Sequence, residues 1–182
     1  MTFKTQLLSV ALITGMSAVS LNAFAAPSSE VTLQGILTDT TCDVTINGGK
    51  SVLNVGVFNT TVGGADASFT AANEITDQQV DMPVTLTGCA KGESGELIVQ
   101  GVTSTGNNEQ NVFVAQDTQT TGFMIQDTDN NQSLTNGKGV TVDLDADETS
   151  GQYTFKVGMA TTNTTPVAGA YSAPIMVAYI SN

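Results

Sequence analysis

Cys42-Asp43-Val44-Thr45-Ile46-Asn47-Gly48-Gly49 reads as a β-strand running into a turn. Val44 and Ile46 alternate with Asp43 and Thr45, the period of two that sends one set of side chains to a core and the other to water. The Asn-Gly-Gly tripeptide is a strong hairpin signal, because these residues enter the left-handed backbone region at little cost. Upstream, residues 31–40 alternate in the same way, with Val31, Leu33 and Leu37 on one face and Thr32, Gln34 and Thr38 on the other. Gly35 falls on the apolar face, where it leaves room for a close approach or a bulge.

Working outward, strands are expected at 52–58, 80–87, 96–102, 111–115, 122–127, 139–144, 151–160 and 174–180. Turn-rich stretches at Gly63-Gly64, 92–95, 106–108, 127–131 and Asn136-Gly137 separate them. Threonine, valine, glycine and asparagine dominate, and no long stretch has helical periodicity. Many short strands without intervening helices predict an all-β protein built as one antiparallel sandwich.

The first 25 residues read as a secretory leader, removed in the mature protein. Lys4 supplies the basic start, residues 7–21 the apolar run, and Ala23-Phe24-Ala25 the small-residue cleavage site, so the mature chain is expected to begin at Ala26. The apolar run falls short of a bilayer span. Export places Cys42 and Cys89 in an oxidising compartment, where they are expected to form one structural disulfide. Residues 42–89 make a closed loop of 48 residues, which the loop-entropy model values at about 4 kcal/mol. A redox-active pair is normally close in sequence, and this one is not.

Charge and composition exclude several functions. The chain has five Lys and Arg together, 17 Asp and Glu and no histidine; the mature chain keeps four lysines and every acidic residue, a net charge of 4 − 17 = −13. Nucleic acid and anionic membranes bind through cations that neutralise phosphate, so neither is an expected partner. Without histidine the commonest general base and metal ligand is missing, and two cysteines do not make a zinc cluster. No enzymatic activity, cofactor or metal is expected.

Three local patterns resemble sites and are better read otherwise. Asp127-Thr128-Asp129-Asn130-Asn131 begins like a calcium loop, but Gln132 stands where the turn glycine is required and Lys138 where the bidentate glutamate is required. A solvated hairpin tip explains it through Asx turns. Asp143 and Asp145 share a strand face opposite Val142 and Leu144, as a solvated edge strand is written. Asn163-Thr164-Thr165 matches a glycosylation sequon that arises readily in a threonine-rich chain. The last strand is more informative: Ile175, Val177 and Tyr179 form one face and Met176, Ala178 and Ile180 the other, so neither is written for water. Such a strand is either central in a sandwich or borders a groove that another chain fills.

These residues together resemble the major subunits of chaperone/usher fimbriae, the type 1 and type 3 pilins of Gram-negative bacteria. The N-terminal match is Val31-Thr32-Leu33-Gln34-Gly35 followed by Thr38-Asp39-Thr40-Thr41-Cys42-Asp43-Val44; the central match is Val84-Thr85-Leu86-Thr87-Gly88-Cys89. Phe123-Met124-Ile125-Gln126-Asp127 and Leu134 resemble the strand and tip that follow. The most specific match is Tyr153-Thr154-Phe155-Lys156-Val157-Gly158-Met159-Ala160-Thr161, with Gly169 fourteenth from the end and an aromatic, Tyr179, near the terminus.

The resemblance implies an immunoglobulin-like sandwich lacking its last strand, completed by donor-strand exchange. It implies an N-terminal donor segment, 26–37, merging into the first strand, and a pilin domain over 38–182. Val31 and Leu33 are then donor side chains, and Gly169, Ile175, Val177 and Tyr179 form the groove and the chaperone-binding edge. The implied partners are neighbouring pilin subunits, a periplasmic chaperone and an outer-membrane usher, with the mature protein outside the cell in a fimbria. A pilus-shaft subunit supporting adhesion is the first expectation, and a minor pilin or adhesin binding a host glycan or protein the alternative.

Overall fold

The computed structural model describes Gly35 and residues 42–181. The expected leader, the donor residues Val31 and Leu33 and the strand expected at 31–40, apart from Gly35, lie outside the described residues. From Cys42 on, the described residues belong to one compact unit spanning residues 36–182.

The described residues form seven strands: β1 Asp43–Ile46, β2 Ile75–Thr87, β3 Ser94–Gly101, β4 Thr121–Asp127, β5 Lys138–Asp143, β6 Ser150–Thr161 and β7 Ile175–Ser181. A three-residue 3-10 turn, Asn47–Gly49, is the sole helical element among the described residues. One sheet has the order β1-β2-β6-β4 and the other β5-β3-β7, and every pairing is antiparallel. The chain is thus an all-β sandwich.

Alternation in the sequence sets the core. In β2, Met82, Val84 and Leu86 point inward; in β3, Leu97 and Val99 do so, and in β6, Phe155 and Val157. Across the three-stranded sheet Leu97 pairs with Val140 on one side and Tyr179 on the other, and Val99 with Val177. These inward rows face one another, and each large side chain removed from water contributes about 1.5–3 kcal/mol. Cys42 and Cys89 are bonded and buried, tying the start of β1 to the end of β2. Their sulfurs are therefore not free thiolates, although the Glu93 carboxylate lies close by.

Two expectations are corrected, and an open alternative for the last strand is decided. The Asn47-Gly48-Gly49 turn, with positive φ at all three residues, does not return the chain as a hairpin: β1 pairs with β2, and residues 51–58 join no sheet among the described residues. Side chains serve the backbone there instead, as Asn47 Nδ2 donates to the Val52 carbonyl at 2.9 Å and Gly56 N–H to Asn54 Oδ1 at 3.1 Å. Residues 111–115 are not a full strand. Phe113 alone bridges, pairing with both Thr103 and Phe123, and so links the end of the β3 arm to β4. Gly122 permits this approach, since a β-carbon there would lie 2.2 Å from the Phe113 carbonyl oxygen. Finally, β7 is not a central strand: among the described residues it pairs with β3 alone, at the edge of its sheet.

β5 occupies the opposite edge of that sheet, which accounts for the exposed Asp143 as a solvated edge residue. There it accepts a hydrogen bond from Ser94 Oγ. The Asp127–Asn131 tip closes on itself as an Asx-type turn, with Asp129 N–H donating to Asp127 Oδ1 at 2.8 Å and Gln132 N–H to Asn130 Oδ1 at 2.8 Å.

Candidate functional site

Phe113 joins the sheets on the β4 side. On the other side stand β1, the edge of the four-stranded sheet, and β7, the edge of the three-stranded sheet. Two segments that join no ladder among the described residues, one following β1 and one preceding β7, run over β4 and β6. Between these segments lie two cavities of about 780 and 470 Å³.

The larger cavity is flanked by residues 46–55 and 171–175, the smaller by 52–60 and 166–171. Val52, Leu53, Val55, Phe123 and Tyr171 line both, so the two are consecutive parts of one groove. The order of the flanks shows that the two walls run in opposite directions. A chain laid between them would be antiparallel to one wall and parallel to the other.

The floor is the inner face of the four-stranded sheet. Ile125 and Val157 lie abreast on β4 and β6, followed by Phe123 and Met159. Met82 and Phe113 complete the larger cavity. Thr121 continues the same row into the smaller cavity, and its buried Oγ1 has no hydrogen-bond partner among the described residues. The walls expose apolar side chains to solvent: Val57 is 94% exposed, Val52 74% and Val167 71%. Apolar rims above an apolar floor, beside two strands that pair on one side only among the described residues, are costly in water and favour an added extended segment.

Gly169 lines the smaller cavity and Ile175 the larger. Val177 and Tyr179 sit farther along β7, 6% and 1% exposed, in the core opposite Val99 and Leu97. They hold β7 in its sheet and line neither cavity. Burial, with the charges of Glu93 and Asp143 nearby, raises the pKa of the Tyr179 phenol. Sequence reasoning did not single out Phe123, Met159, Val52 or Val57. Their signal was present as strand composition in 52–58, 122–127 and 151–160, but it was indistinguishable from that of an ordinary paired strand.

No family model matches the chain, and no curated protein matches it. Solved structures do. A subunit chain from a chaperone-usher pilus, solved in work on rod uncoiling, superposes with a TM-score of 0.56 at 14% identity, over 86% of this chain and 96% of its own. The crystal structure of the P pilus rod subunit PapA superposes with a TM-score of 0.57 at 12% identity, over 78% of this chain and 99% of its own. The fold is that of chaperone-usher pilus rod subunits.

Proposed function

We propose that this chain is a pilin, a structural subunit that polymerises into a surface fimbria by accepting an extended segment of a neighbouring copy in its groove. The observation that carries the reading is the continuous apolar groove between residues 46–60 and 166–175, set in a fold shared with pilus rod subunits. The donor is the N-terminal segment 26–37, in which Val31 and Leu33 fall on one face and supply the side chains that cover Phe123, Met159 and Ile125. Backbone pairing along the two walls adds hydrogen bonds that the walls do not form among the described residues.

The same groove explains the partners. Before assembly its exposed valines are an aggregation hazard, so a periplasmic chaperone covers the groove and the β7 edge until an outer-membrane usher brings the next subunit. The product is an extracellular filament that supports adhesion, and the chain performs no catalytic turnover.

Deletion of residues 26–33 tests this. The shortened subunit is expected to accumulate with its chaperone and to accept a donor, but to extend no filament. Long filaments built from it alone would overturn the reading.

A further inference from the structure

The chain carries 17 acidic residues, yet among the described residues lining the groove none is acidic, and Lys50 is the one that bears a charge. Lys50 stands at the end nearest β1, in the larger cavity. Its position is fixed through the backbone: its N–H donates to the Asn47 carbonyl at 3.2 Å, and Asn47 Nδ2 donates to the Lys50 carbonyl at 3.2 Å. The salt bridges formed among the described residues join Lys91 to Asp147 and Lys156 to Asp81, and neither involves Lys50.

Residues 26–37 read Ala-Pro-Ser-Ser-Glu-Val-Thr-Leu-Gln-Gly-Ile-Leu, and Glu30 is their one charged side chain. Glu30 alternates with Val31 and Leu33, so with those two on the floor its carboxylate points to the rim, where the exposed Lys50 ammonium stands and attracts it. We infer that Glu30 of the incoming copy pairs with Lys50, and that this pair sets the register in which the segment seats. The inference rests on the groove accepting that segment.

The apolar pattern alone leaves the register open. A slip of one residue turns Val31 and Leu33 away from the floor, so odd slips are already excluded. A slip of two keeps the apolar face inward, but moves Glu30 by roughly 7 Å along the groove. In either direction the carboxylate stays on the rim side but is carried out of reach of the lysine. The ion pair therefore excludes the even slips that hydrophobicity permits.

The test measures binding of a fluorescent peptide of residues 26–37 to the full-length subunit at low salt. Lys50→Glu, with its thermal unfolding unchanged, is expected to weaken binding by about fivefold, and a Glu30→Lys peptide to regain the loss on that variant while binding wild type more weakly. Lys50→Gln is expected to fall between. Equal affinity for all four pairings, or a loss on Lys50→Glu that the Glu30→Lys peptide does not regain, overturns the ion pair while leaving the groove as the binding site. Absence of peptide binding to the wild-type subunit overturns both.

Discussion

Tyr179 lies across Gly95: a β-carbon at Gly95 would stand 2.5 Å from the phenol Cζ and 2.3 Å from the Ile180 carbonyl oxygen. The ring packs between β7 and β3 because the facing strand has no side chain at that point. This anchors the edge strand that borders the groove.

Gly95→Ala should therefore act on β7. The methyl meets both backbone and ring, and overpacking of this kind costs about 2 kcal/mol. Urea denaturation is expected to show that loss, with faster amide exchange concentrated in β7. Unchanged stability would mean the ring moves aside without cost.

Loss of the Cys42–Cys89 bond releases a loop of 48 residues, counted from 42 to 89. Cys42→Ser, or reduction, is expected to lower stability by about 4 kcal/mol and to reduce the periplasmic yield sharply. Comparing urea midpoints of oxidised and reduced protein checks the first, and quantifying periplasmic protein the second.

Burial, together with a hydrogen bond donated to Asp127, raises the Tyr153 phenol to about 12. The unfolded chain loses this proton near the ordinary phenol value of about 10. Between the two, the folded state binds more protons than the unfolded state, so stability falls as pH rises. The contribution is complete below about pH 10 and lost by about pH 12. Tyr153→Phe should remove this part of the alkaline decline in melting temperature. Parallel declines in the two proteins would contradict the assignment.

Val57 lines the groove and is 94% exposed, so assembly and folding are separable there. Val57→Asp is expected to change folding stability by no more than about 0.5 kcal/mol, yet to block polymer growth, because the incoming apolar face then meets a desolvated carboxylate. Sedimentation of polymer from matched wild-type and variant subunits measures the difference.

Alternation made most of the sandwich legible. β3, β4, β5, β6 and β7 fall within one or two residues of where period-two patterning, bounded by glycine and asparagine turns, places them, whereas β2 begins at Ile75 rather than at the expected residue 80. The groove was less legible. Residues 52–58 carry strand composition, but a strand is defined by its partner, and these residues pair with nothing else among those described. Alternation specifies which face is apolar and is silent on which edge stays open. The same limit applies to Ile175, Val177 and Tyr179, identical in pattern, of which Ile175 lines the groove while Val177 and Tyr179 fill the core. What separates them is distance along β7, a three-dimensional quantity.

The central claim is that the N-terminal segment of one copy seats in the groove of another. A photo-crosslinking residue at Leu33, in filaments grown from a mixture of isotopically light and heavy subunits, tests it most directly. The account predicts mixed light-heavy adducts that map to residues 46–60, 113–125 and 157–175. Adducts confined within single copies, or mapping to β5 and the outer face of the three-stranded sheet, would contradict it.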